Sequence, residues 1–304
     1  MIGRFIRGSR KVQPLLHIVS LVQSFWTILV ISWHFSAAHG SKRTTALQFN
    51  SLDYCDTNYC PRGKTNVGCS CNFNESFGLG CIDKNPTLHR LSYTQCQQIV
   101  HKHNSMRNNL ACGNVNRFAP AERMVALRWD DELQVLAECN VKNCTYAHDQ
   151  CRSTERFRFA GQNIAKRTVC GRKLHFEDVV IKSLNAWFDE FRDTTPEMLN
   201  TYPEHTLKPI GHFTAMVNDN AYFLGCALLS YDVRIDVYYN ETGEDCRAYY
   251  FVCNYSFNNL KGKPTYSSGK KASRCRSHKS KQHPCLCSDH EPYTTLVDWD
   301  DSSI

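Results

Sequence analysis

The spacing of apolar residues predicts three helices in the first two thirds of the chain. Ser92 and Gln95 match the capping box S-x-x-Q, and residues of one helix face then recur every three or four positions. A second helix is predicted from about Asp130, with acidic residues in its first turn, and a third from about Glu177. The apolar faces comprise Tyr93, Cys96, Ile99, His103, Met106 and Leu110; Leu133, Leu136, Ala137 and Val141; and Val180, Leu184, Trp187 and Phe191.

The last third of the chain has the pattern of strands. Residues 212–217 and 222–230 are predicted strands, and residues 233–239 alternate between apolar and polar with a period of two. Residues 247–255 are more continuously apolar, which favours a strand in the middle of a sheet. Helices first and strands later predict an α+β fold, with helices packed on a sheet.

The N-terminus is typical of a secretory signal peptide. Residues 1–38 contain basic residues and no acid, then an apolar run, and end in Ser36-Ala37-Ala38. This order of basic, apolar and small residues predicts cleavage near Ala38. The alternative is an uncleaved membrane anchor.

Two further segments lack periodicity. Residues 39–90 form a cysteine-rich N-terminal extension. Within it, residues 50–86 are poor in aliphatic residues and are predicted to consist of loops held by disulfides. Residues 263–304 form a tail that we predict to be flexible, with a basic cluster before an acidic end. The basic cluster comprises Lys270, Lys271, Arg274, Arg276, Lys279 and Lys281, and the acidic end Asp298, Asp300 and Asp301.

Composition indicates the compartment. Seventeen cysteines in 304 residues argue for an oxidising environment, and the odd number leaves at least one thiol over or paired between chains. Removing residues 1–38 takes away four positive charges and lowers the net charge from +7 to +3, which is too weak to indicate a nucleic-acid partner. No stretch after residue 40 is apolar enough to span a bilayer, so we expect no membrane span after cleavage.

Four Asn-x-Ser/Thr sequons are acceptors for N-glycans in a secreted chain. Asn74 and Asn240 lie in polar, turn-like sequence, and we predict that both carry glycans. Asn143 and Asn254 each adjoin a cysteine within apolar sequence, and we expect them to be less accessible.

Five motifs resemble those of the CAP superfamily and occur in the same order as in that family. The superfamily unites cysteine-rich secretory proteins, antigen 5 and plant pathogenesis-related proteins. GHFTAMV at 211–217 and FVCNY at 251–255 resemble its two signatures. HNSMR at 103–107, HDQC at 148–151 and GQNI at 161–164 resemble three further family motifs. Together these motifs are much more specific than any one of them.

The resemblance is closest to the insect antigen 5-like, or venom allergen-like, branch, on the basis of DYC at 53–55, Cys60-Pro61 and RFAGQN at 158–163. The chain departs from the signatures at Asn218, where a tryptophan is frequent, and at Ser256-Phe257, where Gly-Pro is usual. The resemblance implies an α–β–α sandwich with a mainly antiparallel sheet, and a CAP domain over residues 91–262.

The resemblance also implies a cleft formed by His148, Gln162, Glu190 and His212. Two imidazoles and a carboxylate are good Zn²⁺ ligands, and they would leave a position for water as hydrolytic zinc sites do. Gln162 replaces a frequent glutamate and, as an amide, is neither a base nor a charged ligand. The sequence contains no H-E-x-x-H motif and no evident nucleophile. We expect no required cofactor; the alternatives are hydrogen bonds within the cleft and binding of Zn²⁺ or another divalent metal.

Two residues of the first helix have polar groups on or near its apolar face. We interpret His103 as a hydrogen-bonded core histidine rather than a ligand. Arg107, one turn later, is expected to pair with an acid or to bind carbonyl groups.

Four disulfides follow from the antigen 5 resemblance: Cys55–Cys69, Cys60–Cys151, Cys81–Cys144 and Cys226–Cys253. Composition alone does not give connectivity. Nine cysteines remain, of which one is expected to be free, Cys275 is expected to pair with Cys285 or Cys287, and Cys96 and Cys139 are interpreted as small buried residues on helix faces. The others are Cys71, Cys112, Cys170 and Cys246.

Our first functional hypothesis is a secreted, non-enzymatic antigen 5-like binding protein. Its partner would be a small lipid or sterol held between helices, or another extracellular protein. A zinc-dependent hydrolase that uses the cleft is the second hypothesis. A structural component of an extracellular or reproductive fluid is the third.

Overall fold

A computed structural model describes residues 54–71, 73, 76–115, 117–235 and 244–293. Outside these residues lie the predicted signal peptide, the acidic end of the chain, and the predicted glycosylation sites Asn74 and Asn240. Of the other two sequons, Asn254 is fully buried as expected, whereas Asn143 is exposed, contrary to expectation.

Five helices and five strands form the regular structure of the described residues. The helices are α1 (Tyr93–Ala111), α2 (Asp131–Val141), α3 (Lys182–Asp189), α4 (Pro196–Asn200) and α5 (Gly211–Val217). The strands are β1 (Thr87–His89), β2 (Arg128–Trp129), β3 (Gly161–Cys170), β4 (Phe223–Ile235) and β5 (Glu244–Tyr255). A π-helical turn leads into α3, and 3-10 turns occupy Thr57–Tyr59, Leu79–Cys81 and Glu190–Asp193.

The sheet has the order β1-β4-β5-β3, and β2 also pairs with β4. All of these pairings are antiparallel except that of β2 with β4. Strand β5 therefore lies between two neighbours, which confirms the prediction that residues 247–255 form a central strand. Because alternate residues of a strand face opposite sides, Phe251 and Tyr255 enter one core, and Tyr250 and Val252 enter the other.

Helices cover both faces of the sheet. On one face, Leu110 of α1, Leu184 of α3 and Phe213 of α5 share a core with alternate residues of β4 and β5. On the other face, Ala137 and Val141 of α2 pack against the remaining set. This arrangement confirms the predicted α+β fold and its α–β–α sandwich.

Local sequence signals explain where α1 and α2 begin. Ser92 and Gln95 form both hydrogen bonds of the capping box, and the Asp130 carboxylate caps α2 by accepting from the amide of Leu133. The first turn of α2 then passes very close to β4 at Gly225. A Cβ atom at that position would lie 2.1 Å from the Gln134 nitrogen, so glycine is required there for packing.

The prediction of a strand at 212–217 is wrong, because these residues belong to α5. Every residue from Phe213 to Val217 is buried, so the segment has no polar face whose period could reveal a helix. The helix is fixed by a distant group: the Glu190 carboxylate accepts hydrogen bonds from the His212 and Phe213 amides. A helix N-terminus favours such a negative charge.

Eight disulfides connect sixteen of the cysteines, all of which lie in the described part of the chain. The four bonds that the resemblance implies are present. The others are Cys71–Cys139, Cys112–Cys285, Cys170–Cys246 and Cys275–Cys287. Cys96 is the buried free thiol. The interpretation of Cys139 as an unpaired core residue is wrong, because Cys139 fastens the N-terminal extension to α2.

The tail is packed on the domain over residues 263–293, which corrects the prediction of a flexible segment there; residues 294–304 lie outside the described residues. Tyr266 and Leu286 enter the core beneath α1, and Cys285 is joined to Cys112 at the end of that helix. The Glu291 carboxylate is buried, where it accepts hydrogen bonds from the amides of Arg276 and Ser277. The segment lacks periodicity because disulfides and isolated polar contacts, rather than regular elements, hold it.

Candidate functional cleft

The four predicted cleft residues form two hydrogen-bonded pairs near the start of β3. His148, in the loop after α2, contacts Gln162 of β3 through Nδ1 and Oε1, which are 2.9 Å apart. Glu190, in the 3-10 turn after α3, contacts His212 of α5 through Oε1 and Nδ1, which are 2.6 Å apart. The Asn163 side chain, next to Gln162, donates to the His212 carbonyl at 3.0 Å and thereby links α5 to β3.

Gln162 connects the cleft to the sheet and to the α2 layer. Its Oε1 accepts from the His148 ring and, at 3.3 Å, from the Asp149 amide. Its Nε2 donates to the Asp149 carboxylate at 2.6 Å and to the Asn254 side chain at 3.0 Å. Asn254 in turn donates to the Leu133 carbonyl of α2. The amide of Gln162 is thus saturated by structural contacts.

Glu190 fixes both the orientation of the His212 ring and the position of α5. One carboxylate oxygen accepts from the ring, while the other accepts from the backbone amides of His212 and Phe213 at 2.8 and 3.1 Å. The indole of Trp187 stacks on the imidazole, with ring centroids 5.7 Å apart. The His212 side chain remains 28% exposed, so the free edge of its ring reaches solvent.

Electrostatics favour a neutral His148. Partial desolvation of the His148 ring, whose side chain is still exposed at one edge, lowers its pKa, and the charges of Arg152 and His212 act in the same direction. The hydrogen bond to Gln162 and the charge of Asp149 oppose this shift. Burial also raises the pKa of the Asp149 carboxyl, an effect that Arg152 opposes through an ion pair at 3.4 Å. The imidazole of His148 therefore keeps a lone pair at neutral pH.

The geometry leaves one ring nitrogen of each histidine for a ligand. Each ring uses Nδ1 as the donor to an oxygen, so the neutral form carries its lone pair on Nε2, as in most metal-ligating histidines. The oxygens of Gln162 and Glu190, however, already accept hydrogen bonds, and catalytic zinc sites use three protein ligands. Among the residues that the structure describes, no group of three His, Cys, Asp or Glu is placed to hold a metal. The donor set does not fit a hydrolytic zinc site.

A core histidine is linked to the cleft through residues whose roles the sequence reasoning missed. His103 is fully buried; its Nδ1 donates to the Ile99 carbonyl, and its Nε2 accepts from the Tyr255 hydroxyl, both at 2.9 Å. That hydroxyl accepts from Asn163 at 3.3 Å, and Asn163 also holds the backbone of His212. The prediction of a hydrogen-bonded core histidine is confirmed. Asn163 and Tyr255 both lie within the recognised motifs, which was the available signal for their roles.

A cavity of about 400 Å³ lies between the first turn of α1 and the turn that leads into α3. The sheet contributes Leu228 and Tyr249 to its wall. The remaining lining residues are His89, Arg90, Leu91, Gln95, Leu174, His175, Phe176 and Val179. The wall therefore combines aliphatic and aromatic surface with three basic side chains, and it is separate from the residues of the cleft.

The fold and the paired histidine cleft define the class to which the molecule belongs. The solved structure of NaASP2 with Zn²⁺ matches with a TM-score of 0.50 at 23% identity, over 65% of this chain and 97% of that one, which shows a shared fold. The profile of the CAP family, the cysteine-rich secretory protein family, matches residues 100–255. The chain belongs to this family.

Relatives place it in the antigen 5-like branch. It is 36% identical to Venom allergen-1 of Aedes aegypti over 240 residues, which cover 79% of this chain and 88% of the relative. It is 46% identical to the Antigen 5 like allergen Cul n 1 of Culicoides nubeculosus over 133 residues, or 43% of this chain and 59% of that protein. None of the helices in the described part of the chain combines the length and apolar character needed to cross a bilayer.

Proposed function

We propose that this protein is secreted and acts outside the cell as a non-enzymatic binding protein for a small lipid or sterol. The observation that carries the proposal is the cavity between α1 and the turn before α3. Its volume of about 400 Å³ lies within the range of small-molecule sites, and its wall is about equally polar and apolar.

The lining supports an amphipathic ligand. Leu91, Phe176 and Val179 provide apolar surface for a hydrocarbon body. Arg90 and His175 provide basic groups that suit a carboxylate or hydroxyl headgroup. A ligand with an apolar body and one polar end therefore matches the wall better than a pure hydrocarbon does.

The cleft gives little support to the hydrolase alternative. In the described part of the chain, neither His148 nor His212 hydrogen-bonds a serine, threonine or cysteine side chain that would serve as a nucleophile. Glu190 is engaged as the acceptor for α5, so it is a poor general base. A hydrolase would require a donor set that the two imidazoles alone do not supply.

The binding proposal is tested with protein purified from culture medium. Mass spectrometry of an organic extract should reveal a bound lipid or sterol, and a fluorescent fatty acid and a fluorescent sterol should be titrated into the stripped protein. Leu174→Trp, at a half-buried lining position, should weaken binding about tenfold or more by filling the cavity. Leu207→Trp makes the same change at a fully exposed position and should leave affinity unchanged.

No extracted ligand and no titration with either probe would contradict the binding role and favour a structural component of an extracellular fluid. Hydrolytic activity that disappears in a folded His148→Ala/His212→Ala variant would favour the zinc-dependent hydrolase. Secretion is tested by N-terminal sequencing of the released protein, which should begin near His39. Protein retained in membranes with residues 1–38 intact would contradict it.

A further inference from the structure

The basic cluster of the tail is displayed on the surface of a fixed segment. Its six cations, Lys270, Lys271, Arg274, Arg276, Lys279 and Lys281, are all exposed. They follow one another within twelve residues of chain. Residues 261–288 contain no aspartate or glutamate.

Backbone hydrogen bonds fix the first half of this segment. The amides of Gly269, Ala272 and Arg274 donate to the carbonyls of residues 120, 121 and 122, at 2.8, 2.9 and 3.0 Å. The side chain of Ala272 is buried between the exposed lysine and arginine positions. Lys270, Lys271 and Arg274 are therefore held at a defined edge of the domain.

The second half folds back on itself. The amide of Ser280 donates to the Leu286 carbonyl at 2.9 Å, and the amide of Ser288 donates to the His278 carbonyl at 2.8 Å. The Cys275–Cys287 disulfide joins this turn to the first half, and Cys112–Cys285 joins it to the end of α1. Lys279 and Lys281 thus project from a cross-linked hairpin rather than from a free tail.

The positive charge of the cluster is largely uncompensated by the residues that the structure describes. Within the described residues, the cluster makes one ion pair, between Arg274 and Glu122, with the nitrogen and oxygen 3.3 Å apart. Five of the six cations have no acidic partner there. Holding like charges together is unfavourable, and the segment is stabilised by backbone contacts and disulfides that do not need them. Among the described residues, acidic groups do not neutralise this cluster, so it presents net positive charge to solvent.

We propose that this cationic surface binds a sulfated polysaccharide of the extracellular matrix or cell surface. Such a chain carries closely spaced sulfate and carboxylate groups, which complement six exposed lysine and arginine side chains on a cross-linked segment. Its affinity comes mostly from release of counterions from the polyanion and falls steeply with salt. The proposal uses the secretion that we proposed above but not the lipid cavity.

The surface lacks the features of two competing polyanion sites. Among the described residues, the exposed large apolar side chains are Phe77, Leu79, Ile82, Tyr93, Tyr146 and Leu207. None of these lies in residues 263–293, whereas interfacial membrane binding uses apolar anchors beside the basic groups. Single-stranded nucleic acids are held on aromatic platforms. In this segment Tyr266 is buried, and Tyr293 is half-buried with its ring packed against Tyr222 and Phe223.

The test measures binding of the full secreted chain to a heparin dodecasaccharide by calorimetry at several NaCl concentrations. The Lys270→Gln/Lys271→Gln/Lys279→Gln/Lys281→Gln variant should bind about tenfold or more weakly at 0.15 M NaCl and show a smaller salt dependence. The matched control neutralises four exposed lysines elsewhere: Lys64→Gln, Lys173→Gln, Lys182→Gln and Lys208→Gln. It has the same net charge and should bind nearly as tightly as the wild type.

Several results would overturn the proposal. These are no binding of heparin by the wild type, equal loss of affinity in both variants, or binding of hyaluronate, which has no sulfate, as tightly as heparin. Capture by phosphatidylserine-containing vesicles without heparin binding would assign the surface to membranes instead. Lipid titration of the same variants should be unchanged, so failure at this surface is distinguishable from failure at the cavity.

Discussion

Two groups of basic residues, one in the core and one in the cleft, use the same chemistry to different ends. In the core, His103 and Arg107 of α1 are fully buried, and all of their polar atoms have partners inside the protein. In the cleft, His148 and His212 each use Nδ1 for a structural hydrogen bond and keep Nε2 for an external group. In the core, every hydrogen-bonding atom of these side chains has a partner in the protein, and these bonds stabilise the fold. In the cleft, one nitrogen of each imidazole has none of the structural hydrogen bonds described above and can contact a ligand.

Arg107 is the core residue with the most hydrogen bonds among these four basic residues. Its guanidinium donates to the carbonyls of Val125, Met216, Asn218 and Ala221 at 2.8 to 3.2 Å. Burial lowers the pKa of Arg107 to about 10, so it remains cationic at neutral pH. Of the two partners predicted from the sequence, an acid or carbonyl groups, the structure selects carbonyls.

The largest effect is expected from Arg107→Met. It removes the guanidinium from four buried carbonyls, of which that of Asn218 still accepts from the Ala221 amide. We expect a loss of at least about 3 kcal/mol in the free energy of unfolding, measured by guanidinium denaturation. Arg117→Met is the control: Arg117 also donates to two carbonyls, but it is exposed, and the loss should be less than about 1 kcal/mol. Similar losses of unfolding free energy in the two variants would show that the buried hydrogen bonds of Arg107 stabilise the protein no more than the exposed ones of Arg117.

The second largest effect is a dependence of folding stability on pH that His103 causes. Burial lowers the pKa of His103 to about 4, against 6.5 for the free side chain. Between these values the unfolded chain binds a proton that the folded protein does not, so stability is retained above pH 6.5 and falls as the pH is lowered toward 4. The shift corresponds to about 3 kcal/mol.

The His103 contribution is isolated by comparing the wild type with His103→Gln across this pH range. Burial also raises the pKa of Asp219 to about 6, which contributes with the opposite sign in both proteins and cancels in the comparison. The variant should be less stable at pH 7 but lose less on acidification. Parallel stability curves would show that His103 does not carry the effect.

Glu190→Gln is expected to have a smaller effect. The carboxylate accepts from two backbone amides at the start of α5 and from the His212 ring, and an amide replaces one charged acceptor oxygen by a donor. We expect a loss of about 1.5 kcal/mol in unfolding free energy and faster hydrogen exchange in α5. Glu177→Gln, at an exposed position, should change stability by less than about 0.5 kcal/mol. Unchanged exchange in α5 would argue against its anchoring by Glu190.

The smallest effect is expected from Zn²⁺ in the cleft. Two imidazole nitrogens should bind the ion weakly, stabilising the protein by less than about 1 kcal/mol at modest Zn²⁺ concentrations. Affinity should fall as the pH drops below about 6.5, because protonated imidazole does not ligate. The lowered pKa of His148 keeps that residue competent to a lower pH than a free histidine. Identical calorimetric titrations of the wild type and His212→Ala would exclude the metal.

Much of the fold was accessible to sequence reasoning where local and global signals agree. The capping box at Ser92 and the apolar face that follows predicted α1, and the more continuously apolar residues 247–255 predicted a central strand. The cleft residues were predicted from the family resemblance, which placed Glu190 and His212 in one site. In the structure Glu190 follows α3 and His212 lies at the start of α5, and the two side chains are in contact. Spacing alone would not have paired them.

The sequence by itself determined the family, the order of α1, α2 and the long strands, the oxidising environment and four disulfides. The tertiary structure decided that residues 211–217 are helical, that Cys71 pairs with Cys139, and that the basic tail is packed. The physical reason is common to these three cases. A helix or strand with one buried and one exposed face has a periodic pattern that can be read from the local sequence. The conformation of a fully buried segment, the partner of a cysteine and an isolated polar contact depend on residues far away along the chain.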